Sequence, residues 1–177
     1  MAGSDRRSAD WRARVGNFDL LTSLRDERRR RRQVAELRLD WALLANAAEG
    51  PPNGLVYILG AGIDTLWRDQ FPAPFGGAMV LRVLSSRLES ERPHKLEVHC
   101  SDEDGKPVLQ QPVVLNLPPR TVHAEHPQGW DLAANIVINL SGVPIPKAGF
   151  YRFEILIDDQ QVRTLPFRAV QPPKGDS

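Results

Sequence analysis

The sequence predicts an all-β domain, an antiparallel β-sandwich of seven to eight strands behind a flexible basic N-terminal tail. Three observations predict it. Beyond residue 36, apolar residues recur mainly with a period of two, the spacing of half-buried strands. The extended segments are short and are cut by Pro, Gly and Asp at frequent intervals. No credible helical pattern follows residue 50. Many short strands with turn residues between them and no helices specify two packed sheets.

Leu37, Leu39, Trp41, Leu43 and Ala45 alternate with Glu36, Arg38, Asp40, Ala42 and Leu44, which places the former on one buried face of a strand. Helix formers are frequent here, and Leu37, Trp41, Leu44 and Ala48 also fit a helical spacing, so propensity leaves strand and helix both open. As a strand, the segment forms one arm of a long hairpin over Leu37–Trp67, with Gly50-Pro51-Pro52-Asn53-Gly54 as its turn. Leu55-Val56-Tyr57-Ile58-Leu59 is apolar on both faces, as for a strand in the middle of a sandwich. Gly60-Ala61-Gly62 then marks a bulge or a bend where another backbone approaches. Phe71 to Gly77 is a loop.

Ala78 to Ser85 is a second strand that is apolar on both faces. Leu96, Val98 and Cys100 alternate with Lys95, Glu97 and His99 up to the turn Asp102-Glu103-Asp104-Gly105. Val113 to Leu117 is a short strand, followed by a polar loop to Gln128. Ile136, Ile138 and Leu140 line one face of the next strand, and Tyr151, Phe153, Ile155 and Ile157 that of another. Asp158-Asp159-Gln160-Gln161 turns into Val162–Val170, where Pro166 points to a sheet edge.

The chain has 177 residues, enough for one domain, and a core of 144 residues buries roughly 68–70% of its unfolded surface without a metal or disulfide staple. The expected division is a basic tail at 1–34, the sandwich at 35–171 and a polar end at 172–177. A single cysteine, Cys100, excludes an intramolecular bridge and suits a reducing compartment. Neither a secretory signal nor a run of about 18–20 apolar residues is present, so a soluble, cytoplasmic protein is expected.

The formal net charge of +1 conceals a division. Residues 1–33 hold ten arginines against five acids, whereas the remainder holds 13 basic and 17 acidic side chains. Arg28, Arg29, Arg30, Arg31 and Arg32 form an unbroken run that would attract an anionic surface by counterion release. Few aromatic residues and no zinc, homeodomain or RNA-binding framework accompany it, so a solvated tail is expected rather than a specific nucleic-acid reader. Such Arg-Glu strings are also what a purine-rich ribosome-binding site encodes. With Val34 as a GTG start, residues 1–33 are then partly or wholly outside the natural chain.

Three segments together resemble one known family. They are Asp40-Trp41-Ala42-Leu43-Leu44-Ala45-Asn46, the stretch from Asn53 through Gly60-Ala61-Gly62 to Trp67, and Ala148-Gly149-Phe150-Tyr151-Arg152-Phe153-Glu154-Ile155. The chain is similar over about Leu37–Val170 to a small, uncharacterised bacterial family of all-β proteins, a domain of unknown function. The resemblance implies a strand at Leu37–Ala47 and an immunoglobulin-like topology. It implies no reaction, cofactor or catalytic residue.

Candidate sites are few. Gly60-Ala61-Gly62-Ile63-Asp64 lacks the third glycine and the helix of a dinucleotide fingerprint. His123, Glu125 and His126 are read as loop residues rather than zinc ligands, and Asp102, Glu103 and Asp104 as a solvated turn rather than a calcium site. Ser141-Gly142 and Ser85-Ser86 have no nucleophile-elbow context. Cys100 belongs to an apolar face and is a core thiol. The leading patch is Asp64, Trp67 and Arg68, a carboxylate, an indole and a guanidinium at the end of a bulged strand, suited to a ligand or partner. Its structural alternative is a core tryptophan beside an ion pair. The expectation is a non-catalytic binding module without cofactor, metal or membrane, joining an unknown protein partner or itself through an edge strand. The alternatives are an enzyme with a loop-built site at Asp64, His123, Glu125 and His126, or a nucleic-acid-associated protein acting through the arginine run.

Overall fold

The computed structural model describes residues 37–173, so Arg28 to Arg32 and the rest of the basic tail lie outside the described residues. The elements are β1 (Arg38–Glu49), β2 (Tyr57–Ala61), β3 (Thr65–Trp67), β4 (Ala73–Pro74), β5 (Ala78–Ser85) and the one-turn helix α1 (Arg87–Ser90). They continue as β6 (His94–Asp102), β7 (Val113–Leu117), β8 (Leu132–Asn139), β9 (Pro144–Ile145), β10 (Gly149–Ile157) and β11 (Gln160–Val170). One main sheet has the order β2-β1-β5-β8 and the other β3-β11-β10-β6-β7. The two-residue strands β4 and β9 form a third, small sheet, β4 lying inside what the sequence predicts as the loop at Phe71–Gly77. The expected sandwich is formed, with nine strands in its two main sheets among the described residues and two more in the small pair. The additional ones are short and depend on pairing across the fold rather than on local pattern.

The segment at 37–47 is a strand, but its faces are not those that simple alternation assigns. Leu39 pairs with Val83 and Trp41 with Arg82, so two residues on β1 oppose one on β5 across a bulge at Asp40. One inserted residue inverts the alternation. The core face therefore runs through Leu37 and Leu39, then Ala42 and Leu44, while Trp41 and Leu43 take the opposite face.

The long hairpin is also divided. β1 pairs with β5 over Arg38–Ala45, and only Ala45–Glu49 pairs with β2. Gly60 and Gly62 have φ of 65° and 89°, and a side chain at Gly60 would meet Asn46 Nδ2 at 2.3 Å. Here the chain leaves the first sheet, held by Gly62 N–H donating to Leu44 O at 2.8 Å, and enters the second as β3, parallel to β11. The predicted bend at close backbone approach is this sheet-to-sheet crossing. At the other end of the hairpin, Asn135 Nδ2 donates to Gly54 O at 2.8 Å and ties the hairpin loop to β8.

The strands of the second sheet follow the expected alternation. Leu96, Val98 and Cys100 face inward with Tyr151, Phe153, Ile155 and Ile157, in the register Leu96↔Ile157 to Cys100↔Phe153. Asp158 and Asp159 have φ of 48° and 65°, the two left-handed residues of a tight hairpin between β10 and β11. Pro166 pairs with Arg152 on one side, and β3 reaches β11 only at Arg168–Val170. β11 is therefore a free edge at the proline and interior only at its last residues, a refinement of the predicted edge strand. α1 corrects the expectation of no helix. Ser86 caps it by accepting from Glu89 N–H at 3.3 Å, a Ser-x-x-Glu start signal.

Between the sheets, Phe75 meets Phe153 and Phe167 edge-on at 5.5 and 5.2 Å, and Phe167 stacks on Tyr151 and Phe153. Tyr151 Oη donates to Lys147 O four residues upstream at 2.8 Å, closing a tyrosine corner at the start of β10. With two facing sheets and this corner, the domain is an immunoglobulin-like sandwich. Phe153 follows Tyr151 by two residues, where antibody domains carry the second cysteine of their inter-sheet bridge, and Cys100 is its neighbour on the adjacent strand of the same sheet.

Candidate functional site

The three residues of the sequence-predicted patch separate into different roles. Arg68 is a brace. Its Nε donates to Pro74 O at 3.1 Å, one terminal nitrogen donates to Trp67 O at 2.8 Å, and the other to Phe75 O. Its backbone N–H donates to Val170 O at 3.0 Å, so the residue fastens the loop that carries Phe75 to the end of β11. Asp64 is exposed and contributes its backbone carbonyl, which accepts from Arg168 N–H at 2.9 Å. No ion pair joins Asp64 to Arg68 among the described residues.

Trp67 is 56% exposed, so the core tryptophan of the structural alternative is not formed; Leu66, at 5%, is the core residue of β3. The register places Thr65 beside Arg168, and Arg168 beside Phe150. Arg168 Nε donates to Thr65 Oγ1 at 3.0 Å. Trp67, Arg168 and Phe150 thus share the solvent face of the second sheet, and Phe150 is 63% exposed.

The largest departure from sequence expectation is β2. It is not a central strand; it pairs with β1 on one side and has no partner on the other among the described residues. Val56 and Ile58 are half-buried, whereas Leu55, Tyr57 and Leu59 are 58, 59 and 71% exposed. An apolar run signals burial on both sides only if something covers the second side. Among the described residues, the second face and the free backbone edge are both open.

The remaining candidates are set by their surroundings. Cys100 is 2% exposed, and burial pushes its thiol up to about 12, so it remains protonated and inert at neutral pH. His123 and Glu125 are exposed in a turn in which His126 N–H donates to His123 O at 3.0 Å. The His126 ring approaches Trp130 O at 3.1 Å. Among the described residues, no three His, Cys, Asp or Glu side chains are grouped as metal ligands. Gly60-Ala61-Gly62 leads into β3 rather than a helix, so no helix N-terminus is available for a pyrophosphate. Asp102 Oδ1 accepts from the backbone N–H groups of Asp104 and Lys106, which makes it the organiser of its own turn.

A family model for a family of unknown function, DUF6941, matches residues 40–170. The chain belongs to that family. No curated protein matches the chain. Among solved structures, it is similar to an immunoglobulin-like protein from Pseudomonas aeruginosa, with 14% identity and a TM-score of 0.38 over 77% of this chain and 98% of that one. A CARDB domain from Pyrococcus furiosus, in complex with di-metal ions, gives 11% identity and a TM-score of 0.31, covering 77% and 96%. An alkylpurine DNA glycosylase from Pseudomonas fluorescens, bound to DNA containing an abasic site analogue, gives 9% identity and a TM-score of 0.38 over 76% of this chain. The chain spans 30% of that glycosylase. Among the described residues, no helix is long and apolar enough to cross a membrane.

Sequence reasoning also missed His94, which joins α1 to the β10–β11 turn. Nδ1 lies 2.7 Å from Asp158 Oδ2 and Nε2 lies 2.9 Å from Glu89 O. A carboxylate and a carbonyl both accept, so both bonds are made together only by the doubly protonated ring. Burial alone would lower its pKa, but the bonds to Asp158 and Glu89 O outweigh burial and raise it above 6.5. Burial likewise opposes ionisation of Asp158, and the bonds from His94 and from Lys95 N–H prevail and lower its pKa below 3.8. The His94 contribution is full below about pH 6.5 and is lost as pH rises through the raised value. That of Asp158 is present above about pH 3.8 and is lost as pH falls through the lowered value. Thermal unfolding is therefore expected to show a stability plateau between these limits and a decline on its alkaline side. His94→Gln should flatten that decline. An identical alkaline slope in the variant refutes the assignment.

Proposed function

We propose that the chain is a non-catalytic protein-interaction module that associates with a second copy through edge strand β2. The observation that carries this reading is a strand edge open among the described residues, with Leu55, Tyr57 and Leu59 more than half exposed. Soluble proteins usually blunt such edges with lysine, proline or a bulge, and β2 has none of these between Tyr57 and Leu59. A strand added at this edge gains main-chain hydrogen bonds and covers the apolar row in the same step.

A second copy fits that edge by symmetry. In a two-fold antiparallel pairing centred on Leu59, the leucines of the two copies meet, and Tyr57 of each faces Ala61 of the other. Large against small is a favourable cross-strand arrangement, and each copy offers the same surface, as an isologous contact requires. The immunoglobulin-like fold itself favours no function.

Sedimentation of the full chain over a range of concentrations tests the reading. A monomer–dimer equilibrium is expected, and Leu59→Lys should raise its dissociation constant at least 100-fold while circular dichroism remains unchanged. Leu59 is too exposed for the lysine to disturb the core. A chain that stays monomeric at every concentration, or a variant that dimerises as before, eliminates the proposal.

A further inference from the structure

A cleft of about 300 Å³ opens at one end of the sandwich, away from β2, between β5 and β8 of one sheet and β6 and β7 of the other. Its walls are Leu37, Val83, Leu117, Leu132, Ala134 and Ile136. All six belong to the core or pack on it, and β8 is the outer strand of its sheet, so their inner surface continues directly into the opening. The polar groups of the wall are already engaged. Ser90 Oγ donates to Arg87 O at 2.7 Å, and both His94 nitrogens are bonded to Asp158 and Glu89.

Two arginines, Arg92 and Arg120, also border the cleft. Arg120 is anchored by its backbone N–H to Ser90 O at 2.7 Å and by one terminal nitrogen to Ala133 O at 3.0 Å, and its other donors are not engaged among the described residues. Arg92 is 71% exposed in its side chain and stands 3.6 Å from Glu89, a loose surface pair that a competing anion can displace. No carboxylate side chain lines the cleft. The nearby Glu89 carboxylate is shared by Arg92 and His94 at 3.6 and 3.8 Å, so an aliphatic trough bordered by two arginines is complementary to a molecule with a hydrocarbon body and an anionic head.

We propose that this cleft is a binding site for a medium-chain aliphatic carboxylate, with the chain between β8 and β7 and the carboxylate on Arg120 and Arg92. Taking the roughly 30 Å³ that a water occupies in the liquid as the measure of one heavy atom, the volume accepts on the order of ten non-hydrogen atoms. Octanoate has that size. This inference concerns a different part of the domain from the β2 edge and stands or falls separately.

The test is calorimetric titration of the full chain with octanoate, 1-octanol and octylammonium. Saturable binding of one octanoate per chain is expected, at least 10-fold tighter than either of the other two. Nuclear Overhauser contacts should connect the ligand to methyl groups of Leu117, Leu132 and Ile136. Arg92→Met with Arg120→Met should weaken octanoate at least 10-fold and leave octanol unchanged; both side chains lie at the surface, so folding is not at stake. Ala134→Phe should block the cleft and remove binding of both ligands. Absence of saturable octanoate binding, equal affinity for octanol, contacts to other methyl groups, or indifference to the arginine variants overturns the proposal.

Discussion

Phe153→Ala is expected to cost the domain about 3–5 kcal/mol of folding stability, the range for removing a buried phenylalanine from a packed core. Phe153 is 0% exposed and lies at the centre of the aromatic cluster, edge-on to Phe75 at 5.5 Å and stacked on Phe167 at 5.2 Å. It also pairs with Cys100 across β10 and β6. Its ring therefore ties the β4–β5 loop to the β10–β11 hairpin, which is remote from it in sequence. A single methyl group in its place leaves a cavity lined by rigid rings, and such walls collapse poorly. Domains of this size have about 5–15 kcal/mol in total, so the variant should move the urea midpoint far down or fail to fold at 37 °C. Trp130→Ala provides the contrast, because Trp130 is 70% exposed and its removal should change stability by less than about 0.5 kcal/mol. A loss below about 1 kcal/mol for Phe153→Ala disproves the account of the core.

The same residues show what local sequence can and cannot specify. Tyr151, Phe153, Ile155 and Ile157 alternate without interruption, and so do Leu96, Val98 and Cys100, so strand and face were legible from spacing alone, whereas their pairing with each other was not. β1 was legible only in part. The bulge at Asp40 adds one residue against β5 and inverts every face beyond it, yet nothing in Leu39-Asp40-Trp41 distinguishes a bulge from a regular pleat. β2 was misplaced for a different reason: Leu55, Val56, Tyr57, Ile58 and Leu59 are apolar, and apolarity was equated with burial. Side-chain chemistry records what a surface tolerates, and sheet order decides whether it is covered. Trp67 shows the same limit, since its sequence left core and surface both open and the sheet order puts the indole on the solvent face. The cleft at the β7–β8 end was illegible altogether, because its walls come from six positions between Leu37 and Ile136 that only the sandwich brings together.

The role of Arg68 leads to the second large effect. Arg68→Met, which keeps the aliphatic stem and removes the guanidinium, is expected to lose roughly 1.5–3 kcal/mol, the range for hydrogen bonds involving a charged group. Three carbonyls, those of Trp67, Pro74 and Phe75, accept from this side chain. They belong to the segment that delivers Phe75, 1% exposed, into the aromatic cluster. Water can replace the donor at the exposed carbonyls but not as readily at Phe75 O, whose bond is partly buried. Gly76 and Gly77 leave little room for compensation: a Cβ at Gly77 would lie 2.6 Å from Ala45 O, so the loop cannot shift toward β1 to find new donors. Arg68→Lys should recover only part of the loss, since an ammonium does not reproduce a planar fork across three acceptors. Urea denaturation measures the total, and hydrogen exchange at the Phe75 amide, which donates to Val143 O at 2.8 Å, locates it. Faster exchange at Phe75 with β6 and β10 still protected is the signature of a loosened loop. If Arg68 served a ligand instead, Arg68→Met would leave both readouts at their wild-type values, and the brace would have to be abandoned.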